Sequence, residues 1–575
     1  MASRPRFWRD TWSLIKPYWT SEERLTAWLL LAAVIGLTLA MVYMNVLFNE
    51  WYNLFYNALQ EKNKDQAYHQ ILRFCVLAAI YIGMAVYAFY LNQMLQIRWR
   101  RWLTERYLQE WLGERTYYRL QLTGSPTDNP DQRISEDLRM FVDDTLSLSL
   151  GLLNAVVTLG SFVGILWSLS GPISIPVNAT QIVVPGYMVW VALAYAIAGT
   201  WVTHALGKPL IGLNFNQQRF EADFRFALVR FRENTEGVAL YHGEHDELNG
   251  FRNRFLAVVG NWWSIMKRQK ILNFFTIGYN QVAVVFPFLV GLPRYFSGAI
   301  QLGGLIQISN AFGQVQGSMS WFIGAYTTFA SWKATMDRLL GFRYAMQQVR
   351  TGVVQQRGIE VDQESRDELV IDHVALSLPD GKAIVAPSEA LIRPGEKLLI
   401  RGPSGSGKST LFRAIAGIWP FGAGHVRQPR NFKVLFLPQR PYLPIGTLRQ
   451  VVSYPESEAQ FPEDQIVETL TACGLPHLVG RLNESRHWAL ELSPGEQQRI
   501  AFARALLHKP SWLFLDEATS AVDESLEEKL YRLLRERLPD TTIVSIGHRP
   551  SLIPFHDRRL ELKDNGHGLR ELQPA

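Results

Sequence analysis

Five stretches of the chain contain no Asp, Glu, Lys or Arg: Leu25–Asn49, Phe74–Ile97, Thr145–Gly207, Ile271–Pro293 and Tyr295–Trp332. They are 25, 24, 63, 23 and 38 residues long. A hydrocarbon core ~30 Å thick takes about 20 apolar residues per helix. The 63-residue stretch is broken by Gly, Pro and Asn near 171–186 and holds two helices. The pattern therefore predicts six membrane spans, at 25–48, 74–96, 146–169, 185–206, 271–293 and 302–330, within a membrane domain over 21–345. Ahead of them, within residues 1–20, Phe7, Trp8, Trp12, Ile15 and Tyr18 alternate with Arg6, Arg9 and Lys16. That mixture predicts a helix lying at the membrane surface. The apolar run that follows is too long for a cleaved signal.

After Trp332 the texture changes. Lys333–Arg357 reads as a charged helical exit and Gln355–Glu368 as a polar stretch, with 346–368 as the linker. From 369 to 575 the apolar runs are short: Leu398–Arg401, Val434–Leu437, Trp512–Leu515 and Thr542–Ile546. They alternate with helical periodicity, which predicts a parallel α/β domain.

Composition alone conceals this division. The mean hydropathy of −0.02 averages a bilayer-soluble part and a water-soluble part. The net charge of +6 is better read through its distribution. Lys and Arg number five before the first span, eight over 98–144 and ten over 204–270, but three, none and one in the intervening loops. Basic loops stay cytoplasmic, so both termini and the two long loops are expected there. The charge thus reports orientation, and nucleic acid is not an expected partner. Cys75 and Cys473 lie too far apart in sequence to suggest a disulfide framework or a zinc site.

The chemistry begins at Gly402, Pro403, Ser404, Gly405, Ser406, Gly407, Lys408, Ser409 and Thr410, between the apolar run Lys397–Ile400 and a helical stretch, Leu411–Ala416. This is G-x-x-x-x-G-K-[ST] in strand-to-helix context. Its glycines let backbone N–H groups curl around phosphate oxygens at a helix N-terminus. Lys408 offers a point charge to the β and γ phosphates and Ser409 a hydroxyl to Mg²⁺. Farther on, the apolar Trp512–Leu515 ends in Asp516 and Glu517. Asp516 suits a water-mediated Mg²⁺ ligand, and Glu517 a base for the attacking water. The expected cofactors are ATP and Mg²⁺.

Between these motifs, Leu492, Ser493, Pro494, Gly495, Glu496 and Gln497 resemble the LSGGQ signature of ATP-binding cassette (ABC) proteins, with Pro494 at the third position. Gln439 resembles the Q-loop glutamine, Ser520–Asp523 the D-loop and His548 the switch histidine. The resemblance implies catalytic roles for Glu517, His548 and Gln439, with Gln439 also near Mg²⁺. It assigns Ser493, Gly495, Gln497 and Asp523 to a nucleotide sandwiched between two cassettes. One cassette and six spans then make a half-transporter, most simply a homodimer. Where the family stacks adenine on an aromatic ring, this chain has Leu378, which leaves ATP against GTP open.

The membrane half carries Asn49, Trp51, Phe55 and Tyr56 after the first span, Arg98–Leu103 after the second, then Tyr117, Tyr118 and the string Asp128–Ile134; Glu221, Phe224, Arg225 and Arg232–Tyr241 follow in the next basic loop. Together these resemble SbmA/BacA-like transporters fused to a cassette and, more distantly, subfamily D of the ABC proteins. The implied fold is an exporter-type six-span helical domain followed by an α/β P-loop nucleotide-binding domain. The implied activity is Mg-dependent ATP hydrolysis coupled to uptake across a bacterial inner membrane, with cobalamin, bleomycin-like compounds and antimicrobial peptides among the group's cargoes. An exporter of drugs, lipids or peptides shares the architecture, and an ATP-gated channel or sensor is a third reading. The resemblance also puts Asp131, Arg133, Glu136 and Glu236 where membrane helices meet the cassette. In the last span Gln307, Asn310, Gln314 and Ser318 fall on one helical face. Such groups are costly in hydrocarbon, and they are expected to line a substrate path or to bind a neighbouring helix, a use that Gly313 and Gly317 would favour.

Overall fold

The computed structural model describes residues 7–122, 129–177, 180–355, 358–363, 367–566 and 569–575. Asp128 and parts of the expected linker lie outside these. The chain divides into two compact units, Met1–Gln109 with Asp128–Arg343, and Glu110–Thr127 with Tyr344–Ala575.

The first unit is helical: α1 (Phe7–Trp19), α2 (Arg24–Gln60), α3 (Lys64–Leu112), α4 (Leu138–Ser170), α5 (Tyr187–Glu233), α6 (Glu244–Phe296) and the start of α7 (Leu302–Gln355). Helices α2 to α6 each contain an apolar segment long enough to cross a membrane. Helix α7 runs for 54 residues with the polar face noted above. At 1.5 Å per residue α6 and α7 are ~80 Å long, well beyond a ~30 Å core, so each also runs through water. Outward-facing residues on the apolar stretches are large and apolar, among them Leu29, Ile82, Phe89, Trp201 and Phe274. A surface of that kind is solvated by lipid tails, not by water.

Two features depart from the sequence pattern. The break near 171–186 is an antiparallel hairpin, β1 (Pro172–Val177) with β2 (Thr180–Pro185), registered from Pro172 opposite Pro185 to Val177 opposite Thr180. And α1 is more than a surface helix. Tyr18 is fully buried, stacked on Trp99 of α3 at 5.6 Å, and the Thr11 hydroxyl lies 2.8 Å from the sulfur of Met336. Its exposed side keeps Trp12.

One charged cluster in this unit is structural. Asp137 has a side chain only 3% exposed. It accepts hydrogen bonds from Arg338 Nε at 2.9 Å and Nη2 at 2.7 Å, and from Arg133 Nη1 at 2.8 Å. Two guanidinium groups offset the cost of burying one carboxylate. It sits in a π-helical turn, Arg133–Asp137, a kind of distortion that re-aims side chains.

The second unit is built on a ten-stranded sheet. Its strands are β3 (Glu360–Gln363), β4 (Leu369–Ser377), β5 (Ala383–Ile392), β6 (Lys397–Arg401), β7 (Gly422–Gln428), β8 (Val434–Leu437), β9 (Trp512–Asp516), β10 (Thr542–Ile546), β11 (Arg558–Asp564) and β12 (Arg570–Pro574). Their spatial order is β3-β7-β4-β5-β12-β11-β6-β10-β9-β8. The run β11-β6-β10-β9-β8 is parallel throughout. Leu398, Leu399 and Ile400 of β6 and Leu513, Phe514 and Leu515 of β9 are buried on both faces. That explains why these strands are continuous apolar runs with no polar alternation. Helices α8 (Lys408–Ile415), α9 (Pro494–His508) and α10 (Glu524–Arg537) belong to this layer system. The β6–α8 and β9 ends open on the same edge, where open parallel sheets bind ligands.

Candidate functional site

The loop between β6 and α8 is forced into a tight curl. Gly402, Gly405 and Gly407 have φ of 151°, 73° and 95°. At Gly407 a Cβ would also lie 2.8 Å from the Val385 side chain, so only glycine fits both the angle and the space. Lys408 Nζ donates to the carbonyls of Gly402 and Pro403, both at 2.8 Å. Burial lowers its pKa, countered by the charges of Glu517 and Asp516. The Ser409 hydroxyl donates to Asp516 Oδ1 at 3.0 Å. Burial also raises the pKa of Asp516; that hydrogen bond opposes the rise and the Glu517 charge adds to it.

A cavity of about 670 Å³ opens over this loop, lined by Ser404–Thr410, Gln439, Asp516 and Glu517 and by Leu378, Lys382 and Arg570. A triphosphate fits it by chemistry. The curl presents successive N–H groups and the first turn of a helix to anionic oxygen. The Ser406 hydroxyl is buried with no partner. For Mg²⁺ the donors on hand are oxygens of Ser409, Asp516 and Gln439, the set a hard octahedral cation takes. Leu378 lines the cavity, and no aromatic side chain does among the described residues.

Glu517 is held from two sides. Gln439 Nε2 donates to its Oε2 at 3.2 Å, and His548 Nε2 lies 3.3 Å from its Oε1. Glu517 has φ of 49°, a left-handed conformation that is sparsely populated for a non-glycine residue and typical of functional turns.

The signature residues belong to this unit without lining the cavity. Ser493 caps α9 by accepting from the Glu496 N–H, and Glu496 in turn accepts from the Ser493 N–H at 2.9 Å, a reciprocal capping box. Counted from Leu492, the fifth position of the string is therefore Glu496. Gln497 is spent locally, donating to the carbonyls of Ala489 and Leu492 at 3.0 and 2.9 Å. Gly495 sits where a Cβ would come 2.9 Å from the Ala521 carbonyl oxygen. Asp523 caps α10 by accepting from Leu526 N at 2.9 Å. Thus Gln439, Asp516 and Glu517 join the phosphate loop, with His548 against Glu517, while Ser493, Gly495, Gln497 and Asp523 stand apart in a single chain.

The structure adds residues that the motifs did not single out. Gln498, 3% exposed, donates to the Gln439 carbonyl and the Ser520 hydroxyl, both at 3.0 Å, and accepts from Ala521 N at 2.9 Å. It joins the Q-loop to the D-loop. From the other side, Arg549 donates to the Val522 carbonyl at 2.8 Å. Buried Glu527 accepts from Thr519 and Ser551, both at 2.6 Å. Arg504, also buried, donates to the carbonyls of Val451 and Tyr442, the latter just past Gln439.

In the first unit the expected path residues separate. Asn310 and Gln314 line a cavity of about 300 Å³. Gln307 does not, because its Oε1 accepts from Asn53 Nδ2 of α2 at 2.5 Å. Ser318 is buried and its hydroxyl donates back to the Gln314 carbonyl at 2.8 Å. Gln307 thus serves a helix contact, and Ser318 bonds within its own helix. Arg133 is a partner of Asp137, and Glu136 accepts from Gln132 at 3.1 Å.

Two families match the chain: ABC transporter transmembrane region 2 over residues 14–296 and ABC transporter over 387–520. Escherichia coli YddA, an inner membrane ABC transporter ATP-binding protein, is 34% identical over 94% of this chain and 94% of its own length. The Arabidopsis thaliana ABC transporter D family member 2, chloroplastic, is 34% identical over 96% and 86%. The human lysosomal cobalamin transporter ABCD4 is 27% identical over 96% and 93%. A bacterial Atm1-family ABC exporter solved with ATP bound shares the fold, with a TM-score of 0.72, 96% of each chain covered and 17% identity. The SbmA/BacA-like resemblance draws no support from these relatives. ABC cassettes are ATPases that bind ATP with Mg²⁺ and drive transport. With one helical membrane domain and one P-loop cassette fused in that order, the chain belongs to the ABC transporters, as a membrane-embedded half-transporter related to subfamily D.

Proposed function

We propose that two copies of this chain form an ATP-driven importer of a sizeable hydrophilic cargo, cobalamin-like or peptide-like, in a bacterial inner membrane with both termini cytoplasmic. The observation that carries the ATPase half is Glu517, held by Gln439 and His548 at the mouth of the phosphate cavity. In this reading Lys408 and the loop N–H groups bind the β and γ phosphates. Ser409, Asp516 and Gln439 hold Mg²⁺, which supplies charge neutralisation to the transferring phosphoryl group. Glu517 orients the attacking water and accepts its proton, and His548 keeps the carboxylate aimed. Ser493, Gly495 and Asp523 complete the site of the partner copy, while Gln497, tied to the Ala489 and Leu492 carbonyls, holds the signature turn in shape. Their separation from the cavity within one chain favours that reading, because these residues serve no nucleotide of their own chain.

The cobalamin or peptide assignment leans on the ABCD4 likeness and on the neutral polar cavity of the first unit, whereas the inward direction leans only on the SbmA/BacA-like resemblance of the membrane-half motifs. The narrower SbmA/BacA-like placement rests on the membrane-half motifs alone. Export of drugs, lipids or peptides is the second reading, favoured by the fold shared with an Atm1-family exporter. Proteoliposomes with cassettes outward separate the two: an importer empties preloaded vesicles on ATP addition, whereas an exporter fills them. Glu517→Gln is expected to keep ATP binding and lose at least 100-fold in steady-state hydrolysis, within the range for removing a general base. Normal turnover in that variant overturns the role given to Glu517.

A further inference from the structure

Helix α2 carries four asparagines at four-residue spacing, Asn45, Asn49, Asn53 and Asn57, on one face. Asparagine is a poor helix former, and four amides in a segment that starts as a membrane span are not there for local stability. One half of the row is fully used. Asn57 Nδ2 donates to Asn53 Oδ1 at 2.6 Å, Asn53 donates to Gln307, and Gly303 N of α7 donates to Asn57 Oδ1 at 2.8 Å. These amides bind α2 to α7.

The other half is only partly used. Asn45, Asn49 and Tyr52 from α2 line the cavity of about 300 Å³ together with Asn310 and Gln314 from α7 and phenylalanine rings that include Phe162 of α4. Asn49 is 2% exposed. Its Nδ2 donates to the Gln307 carbonyl at 3.1 Å, but its Oδ1 is buried with no partner. Asn310 Nδ2 turns back to the Ile306 carbonyl at 3.0 Å, which leaves its oxygen for the cavity. Among the described residues no charged side chain lines this space. An unmet buried acceptor costs free energy unless something satisfies it, and the wall provides amide donors and acceptors with no ion to attract a charge.

We propose that this cavity is a binding subsite for uncharged, amide-bearing cargo, with Asn49, Asn310 and Gln314 as its hydrogen-bonding residues. A primary or peptide amide offers a donor beside an acceptor, the complement of the asparagine and glutamine heads. The phenylalanine rings lower the polarity around these amides, which strengthens each bond. A carboxylate or ammonium entering the same space would lose its hydration and find no counter-charge. The subsite deepens the transporter reading above and rests on it.

The test uses the full-length protein in lipid nanodiscs and three N-acetylated hexapeptide amides that alternate glycine with asparagine, aspartate or lysine. Equilibrium dialysis measures binding, and ATP hydrolysis is followed in parallel. The asparagine peptide is expected to bind at least tenfold more tightly than the other two. Asn49→Leu and Gln314→Leu should each weaken it about tenfold, the equivalent of one buried hydrogen bond. Gln314 is exposed and its side chain makes no hydrogen bond among the described residues, so Gln314→Leu answers the question even where Asn49→Leu folds poorly. Equal binding of all three peptides, failure of the asparagine peptide to bind, or binding unmoved by Gln314→Leu overturns the subsite. If hydrolysis is intact in those cases, the transporter reading stands; absence of hydrolysis in the parent protein refutes that reading instead.

Discussion

Replacing Gln498 by leucine should uncouple ATP binding from ATP hydrolysis. The side chain makes three hydrogen bonds, to the Gln439 carbonyl, the Ser520 hydroxyl and the Ala521 N–H. At about 1 kcal/mol net each, some 3 kcal/mol of loop ordering is lost. Leucine is close in volume, so little cavity energy is added. A loss of ~3 kcal/mol shifts the ratio of ordered to disordered loop by roughly 150-fold. The ordered arrangement carries Gln439 against Glu517, so hydrolysis should fall with it.

Binding should not fall. None of the three hydrogen bonds of Gln498 involves Lys408, Ser409 or Asp516, which are tied to each other and to the phosphate loop. Titration with a fluorescent ATP analogue should therefore give a Kd within about threefold of the parent, the scale of less than 1 kcal/mol. Steady-state hydrolysis in nanodiscs should show kcat reduced at least tenfold. A kcat for Gln498→Leu within twofold of the parent would refute the reasoning, as would equal losses in binding and turnover.

Three further substitutions test other parts of the structure. Gly495→Ala puts a Cβ 2.9 Å from the Ala521 carbonyl oxygen; kcat should drop while ATP binding persists, and full activity means that this contact is absent in the working protein. Asp137→Ala strands Arg338 and Arg133; about 3 kcal/mol should be lost, the low end for a broken buried pair because Arg338 is partly exposed, and an unchanged thermal midpoint in detergent would contradict this. Arg570 lines the nucleotide cavity together with Leu378, and a guanidinium plane can stack where no aromatic ring does. Arg570→Ala should weaken ATP several-fold while leaving inorganic triphosphate nearly unaffected; equal losses for both would assign Arg570 to the phosphates.

What could be read from the sequence was whatever is encoded over short distances. A phosphate loop is such a feature: nine consecutive residues, Gly402–Thr410, set their own φ angles and face the end of β9 once the sheet forms. The membrane helices were legible for a related reason, since absence of charge is a property of a single helix in lipid. That same criterion concealed other features. It could not separate the hairpin Pro172–Pro185 from the spans around it, because uncharged strand and uncharged helix look alike when only charge is followed. It also passed over Asn45, Asn49, Asn53 and Asn57, whose amides are neutral yet polar; a search for amides at four-residue spacing would have found them. Which neighbour acts on a helix is a further limit. Gln497 and Gln498 are the same residue type about 100° apart around α9, and only packing against the Q- and D-loops decides that Gln498 reaches them. Asp137 shows the limit for ions: a carboxylate in a charged loop reads as solvated until Arg338, 201 positions away, closes over it. Site residues fixed by neighbours in sequence are therefore readable in advance, and those fixed by neighbours in space are the ones on which the coupling predictions above depend.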